Sequence, residues 1–182
     1  MTMLEKHMID LLNAIEESYK NGWYMPCLVL LYSGLDVVAS LEPSRGSGVG
    51  DRFEKWVDRY MLRSYPLPCT ARDLYAARCA VVHTFTPESD LSRKGKARVI
   101  GYGFGSAAVT ELDKASAFAN QSGQVNVHVR DLIDAFRNGF ADYYQEVTTD
   151  GVRLAEMENS AGLWSGVMGP EVINEYVRIN TP

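Results

Sequence analysis

The stretch DLYAARCAVVHTF, residues 73–85, decides how this chain is read. Thr70 stands ahead of it as an N-cap, and Asp73 lies in the first turn, where a carboxylate suits the positive end of a helix. Pro87 bounds the far end. On a wheel at about 100° per residue, Leu74, Val81, Val82 and Phe85 form one apolar arc. Arg78 falls near the middle of that arc. A guanidinium does not lose its proton, and burying it without a partner is costly. Either a carboxylate meets it, or this face opens into a cleft or a subunit interface.

Asp36 is the carboxylate the sequence offers. It stands alone inside an apolar helical stretch, which poses the same problem with opposite sign. One reading of the two is a structural buried ion pair; the other makes them part of a site. His83 lies five positions beyond Arg78, about 140° round a helix and about 7.5 Å along it. The two side chains do not stack directly, but arginine is long, and both reach a phosphate lying across the helix end. Histidine titrates near neutrality and moves protons, while arginine is a permanent, forked phosphate ligand. On the His83 side stand Ala76 and Ala80, small enough to admit another helix or a ligand. Taken alone, His83 is also compatible with a partly buried histidine whose hydrogen bonds are satisfied.

Outward from this helix the pattern stays helical. Leu4, Met8, Leu11, Leu12, Ile15 and Tyr19 share one face of a helix over residues 2–20, closed by Asn21-Gly22. A second helix, 24–41, tolerates Pro26 in its first turn and is apolar nearly all round, so it reads as the central one. EPSRGSGVG, residues 42–50, is loop by composition. Asp51 and Glu54 resemble a capping box opening a short helix through Phe53, Trp56, Val57, Tyr60 and Met61. Pro66 and Pro68 break the chain before Thr70. Further on, ARVIGYGFG (97–105) and VNVHV (125–129) have strand character and are expected to pair as a small hairpin around a helical insert, 106–120. Val129, Leu132, Ile133, Phe136, Phe140, Tyr143, Tyr144 and Val147 then mark the clearest helix. Residues 151–182 read as a C-terminal helical extension of one or two short helices packed on the same domain.

The expected fold is therefore mostly α: an antiparallel helical bundle over residues 1–150, with a β-hairpin insertion at about 97–128. The chain has 182 residues, 46% of them hydrophobic and 23% charged, enough for one globular core without metals or disulfides. Three cysteines without CxxC spacing speak against a disulfide framework and a zinc site, and no cofactor or metal is expected. No apolar run is long enough to span a bilayer, and charges in MTMLEKHMID interrupt any signal-peptide core, so a cytoplasmic protein is expected. The net charge of −5 makes general attraction to nucleic acid weak. Any such contact must use a local basic patch, and SRKGKAR offers one in Arg93, Lys94, Lys96 and Arg98; the competing reading is a solvated loop. GYGFGS lacks both the Walker ending and the dinucleotide glycine spacing, so it reads as a turn.

The helix around Arg78 and His83 resembles the signature helix of the HEPN superfamily (higher eukaryotes and prokaryotes nucleotide-binding domains). That family's mark is an arginine, four to six residues, then a histidine, on one helix of a four- or five-helix up-and-down bundle. Arg78 matches the arginine and His83 the histidine, and LYAARCAVVH resembles the helix of bacterial HEPN-like proteins. The resemblance covers residues 4–147 by helix order, with the motif helix its specific part. It implies a homodimer whose two motif copies share one cleft, and metal-independent RNA cleavage at Arg78 and His83. The histidine would assist attack by a ribose 2'-hydroxyl, and the arginine would hold the adjacent phosphate. Cys79 stands directly after the arginine, where many active members have a polar residue, often Asn. The resemblance thus leaves two outcomes open. One is an RNA-binding endoribonuclease. The other is a non-catalytic dimeric interaction or nucleotide-binding module of a defence or toxin–antitoxin system, with an antitoxin as partner.

Overall fold

The computed structural model describes residues 3–42, 47–119 and 123–162, together with positions 174 and 178. The expected loop at 42–50 lies partly outside these residues, as does the part of the C-terminal extension beyond 162. Eight helices are described, in the order α1 (Met3–Lys20), α2 (Tyr24–Ser40), α3 (Val49–Trp56), α4 (Ala71–Thr84), α5 (Asp90–Arg93), α6 (Val109–Phe118), α7 (Val129–Thr148) and α8 (Gly151–Gly162). Two strands, β1 (Val99–Gly103) and β2 (Gln124–His128), flank α6. The molecule is mostly helical with a small sheet.

Helix α2 is the centre, as its apolar circumference demands: it packs against α1, α3, α4 and α7. Leu28, Leu31, Tyr32, Leu35 and Val38 are buried along it. Each neighbour contributes one stripe to that contact. From α1 come Leu4, Met8 and Ile15; from α4, Leu74 and Val81; from α7, Leu132, Phe136 and Tyr143. Burying such side chains stabilises by about 1.5–3 kcal/mol each, which is what fixes four helices around one. Helix α8 packs on α1 and α7 and buries Met157.

Helix α3 departs from the sequence reading at both ends. It begins at Val49 with Gly48 as N-cap and no side-chain cap, so Asp51 sits within the first turn and is no capping residue. At the other end it runs through a π turn, Val57–Met61, into a last short turn, Leu62–Ser64. The Leu62 N–H reaches back to the Val57 carbonyl, the wider bond that defines a π turn. The extra residue brings Val57, Tyr60 and Met61 all inward, each buried. It also brings the backbone onto α7, where Gly139 makes room. A Cβ at Gly139 would stand 2.8 Å from Met61 Cα.

The two strands pair, but not as a hairpin. They run parallel in the register Val99↔Gln124 to Gly103↔His128, with α6 as the crossover. The reason is connection length. A tight turn reverses a chain, whereas a connection that carries a helix returns it to the same end. Side-chain bonds fasten the crossover to β2: Asn126 Nδ2 donates to Asp113 Oδ1 at 2.8 Å, and Gln124 Nε2 donates to Ser116 Oγ at 3.0 Å. Gly101 in β1 lies under this network, and a Cβ there would run into Gln124 and Asn126. Helix α7 follows β2 without a loop, and His128 caps one N–H of its first turn, its Nδ1 accepting from the Arg130 N–H at 3.2 Å.

Asp73 ties α4 to β1. It completes a capping box with Thr70, and its carboxylate also accepts from the Arg98 backbone at 2.7 Å and from Arg98 Nε at 3.0 Å. Burial alone would raise the Asp73 pKa, but the hydrogen bonds from Thr70 and Arg98 outweigh it and hold it below the ordinary value. Glu16 is likewise held low: the Arg130 hydrogen bond leads, burial opposes it, and Arg137 adds to it. A carboxylate lowered on folding stabilises above its unfolded pKa, and that stability is lost as pH falls through the folded value. Urea midpoints are therefore expected to fall as the pH drops below about 4. Asp73→Asn should lower stability at neutral pH and flatten that acid slope; parallel slopes for variant and parent would contradict the assignment.

Candidate functional site

The site is built on α4, whose capping box starts the helix at Ala71 and whose left-handed C-cap ends it at Phe85. Between them Arg78 leaves the apolar side and meets Asp36 of α2. Its Nε donates to Asp36 Oδ2 at 2.5 Å, and Nη2 pairs with the same oxygen. Both side chains are largely covered, 15% and 20% exposed. The second carboxylate oxygen, Asp36 Oδ1, is buried with no hydrogen-bond partner among the described residues. Burial of the guanidinium works against its charge, but the hydrogen bond and field of Asp36 prevail and raise the Arg78 pKa further. Arg78 is thus a fixed, oriented cation.

The other end of the guanidinium touches His83. Arg78 Nη1 lies 2.6 Å from His83 Nε2. Arginine only donates, so Nε2 is the acceptor and the ring proton sits on Nδ1 in this arrangement. The angular gap between the two on the helix is closed by arginine's length. Each η nitrogen carries two hydrogens, so Arg78 keeps donor capacity beyond these bonds. His83 itself is exposed. Asp36, Arg78 and His83 therefore form a line running from the α2–α4 interface out to solvent.

That line ends in a groove of about 460 Å³. His83, Cys79, Tyr75 and Arg72 form its helical wall, with Thr84 at the rim, and Arg93 comes from α5 on the far side. Burial first, and the neighbouring Cys79 thiol second, push the Tyr75 hydroxyl pKa up. Arg72 pairs with Glu54 at 2.9 Å, and Arg93 pairs with Asp90. Sequence reading missed Arg72 and Tyr75 as site residues, although the signal was present. Residues 72, 75, 79 and 83 follow at steps of three, four and four, a single helical stripe. The apolar arc ends at Val82, because Phe85 leaves the helix and lies exposed.

The basic segment is divided by the turn at Gly95, whose φ is +65°. Arg93 faces the His83 groove, Lys94 is exposed, and Lys96 and Arg98 line a second cavity of about 610 Å³. Neither Arg78 nor His83 lines this larger cavity. Arg98 is committed there: it bonds the buried Asp73 carboxylate and donates to the Pro68 carbonyl at 3.2 Å. The structure thus joins Asp36, Arg78 and His83 by direct contacts and sets Arg93 in the groove that His83 lines, while Arg78 and Asp36 lie outside that lining and Lys96 and Arg98 line another cavity.

Among the described residues, no three His, Cys, Asp or Glu side chains gather as a metal site. Among the same residues, no helix is long and apolar enough to cross a membrane. Comparison of the chain with protein-family models, with curated proteins and with solved structures returns no match.

Proposed function

We propose that this chain is a HEPN-type, RNA-binding domain that cleaves RNA without a metal ion, through Arg78 and His83. On this reading its helices form an up-and-down bundle, the β1–α6–β2 unit is an insertion, and the active form is a homodimer joined across the motif face. One observation carries the reading: a buried carboxylate orients an arginine whose far end touches an exposed histidine at 2.6 Å. A purely structural ion pair gives no reason for the histidine to sit at the solvent end.

The chemistry follows from the residue types. A bound phosphate takes over the η hydrogens of Arg78, and His83 Nε2 is released from its donor. Nε2 then accepts the proton of the neighbouring ribose 2'-hydroxyl. The 2'-oxygen bonds to phosphorus, and the bond from phosphorus to the 5'-oxygen breaks. The leaving oxygen takes a proton from solvent, giving a 2',3'-cyclic phosphate end and a 5'-hydroxyl end. Arg78 offsets the charge that builds on the phosphate oxygens. Arg72 and Arg93 neutralise flanking phosphates. Their own carboxylate partners release them readily, because exposed ion pairs are worth only about 0–1 kcal/mol.

The test is RNA incubated with the protein and excess EDTA, beside His83→Ala. Cleavage is expected to survive chelation and to fall by about 100-fold or more in the variant, the usual contribution of a positioned proton acceptor. Since His83 is exposed, the melting temperature should not change. Equal cleavage by both proteins would defeat the proposal. An intact, folded dimer without cleavage would favour the non-catalytic module, to which Cys79 beside Arg78 already lends some support.

A further inference from the structure

The larger cavity, about 610 Å³, lies in the size range of small-molecule sites, and neither Arg78 nor His83 lines it. It opens where the start of α4, the segment after α4, the turn at Gly95 and the first residues of both strands come together. Pro87, Ala97 and Val99 give the lining an apolar part. Its charged side chains are Asp73, Glu88, Lys96 and Arg98, two negative and two positive.

Two of these charges engage each other. The Asp73 side chain is 4% exposed, and its Oδ2 accepts from Arg98 Nε at 3.0 Å and from Nη2 at 2.7 Å. Nη2 also donates to the Pro68 carbonyl. These bonds fix the guanidinium plane and leave Nη1, with its two hydrogens, without a partner among the described residues. A fork ordered in advance loses less freedom when it takes a further acceptor. The other two charges are not engaged. Among the described residues, neither the Lys96 ammonium nor the Glu88 carboxylate has an ion pair or hydrogen bond, and they do not pair with each other. A simple anion in this cavity would meet Glu88 unfavourably, and a simple cation would meet Lys96. A ligand that carries both charges suits the lining.

We propose that this cavity binds a free α-amino acid with a large apolar side chain. Arg98 Nη1 and Lys96 take the carboxylate, Glu88 takes the ammonium, and Pro87, Ala97 and Val99 receive the side chain. Hydrogen bonds between charged groups are the strong ones, so each end of the ligand contributes to both affinity and orientation. The volume leaves room for a side chain of aromatic size beside the charged groups. This site is separate from the proposed RNA chemistry and does not depend on it.

The experiment titrates L-phenylalanine, to about 10 mM, into the isotopically labelled full chain and follows the backbone amide resonances. Phenethylamine, which lacks the carboxylate, and 3-phenylpropionate, which lacks the ammonium, are the comparators. Saturable shifts are expected for the amides of residues 95–99, with those of residues 72, 75 and 79 in place. Each comparator should bind about tenfold or more weakly than the amino acid, as the loss of one charge-assisted contact requires. Lys96→Met and Glu88→Gln should each weaken L-phenylalanine binding by about tenfold. Both positions are exposed, so the melting temperature should hold. Lys94→Met, an exposed lysine outside the lining, should bind like the parent. The proposal is overturned by absent saturation, by shifts confined to the His83 groove, by comparators that bind as tightly as the amino acid, or by parent affinity in both lining variants.

Discussion

Asp36→Ala is expected to lower stability by about 3 kcal/mol, which in a chain of this size moves the melting temperature down by about 6–12 °C. The substitution removes the partner of a largely covered guanidinium, and Arg78 cannot escape by losing its proton. Both side chains keep some access to water, which places the cost at the lower end of the range for buried pairs. Arg78→Ala strands the carboxylate instead, and a carboxylate can take up a proton. Its cost should be smaller than that of Asp36→Ala. The double variant should recover much of the loss, because it leaves no unpaired charge. A cycle of urea-unfolding midpoints over the four proteins measures this directly. Additive losses would mean that the 2.5 Å contact stabilises nothing, and that α2 and α4 are held by their apolar residues alone. If the proposed ribonuclease function holds, RNA cleavage should fall with Asp36→Ala too, since Arg78 would lose the contact that aims it at His83.

Trp56→Ala should cost more still, about 3–5 kcal/mol. Trp56 is 1% exposed and stands where α3 passes into its π turn. Its ring meets Tyr60 at 5.7 Å between centroids, Tyr143 at 6.1 Å and Phe136 at 6.3 Å. Truncation would open a void that three stiff rings from two helices cannot fill by small shifts. Trp56→Phe should be far milder. It keeps an aromatic ring in contact with the cluster, and it deletes a buried indole N–H that has no hydrogen-bond partner among the described residues. Thermal or urea unfolding of the two variants separates the cases. Similar losses for Phe and Ala would show that indole volume, not ring contact, governs the site.

The helices α1, α2, α4 and α7 could be read from apolar periodicity, because each buries a single stripe or, for α2, nearly its whole circumference. Thr70 and Asp73 announced the start of α4 by local chemistry, and the structure places both in a capping box. Arg78 and Asp36 were a matched pair of anomalies, and they do meet. The π turn was not legible, since no short pattern encodes it; it depends on the backbone of α7 approaching at Gly139. Arg98 looked like a surface cation because its partner, Asp73, lies 25 positions earlier.

By itself, then, the amino-acid order determined the elements whose causes are local: capped helices, apolar faces, and charges that needed partners. What only the assembled molecule decided were relations between distant segments. Strand direction followed from where α6 returned the chain, and Phe85 proved exposed because the helix ended one residue before it. Side-chain periodicity reports which face is apolar. It carries no information about which other backbone will cover that face, and that choice is made by packing the whole core at once.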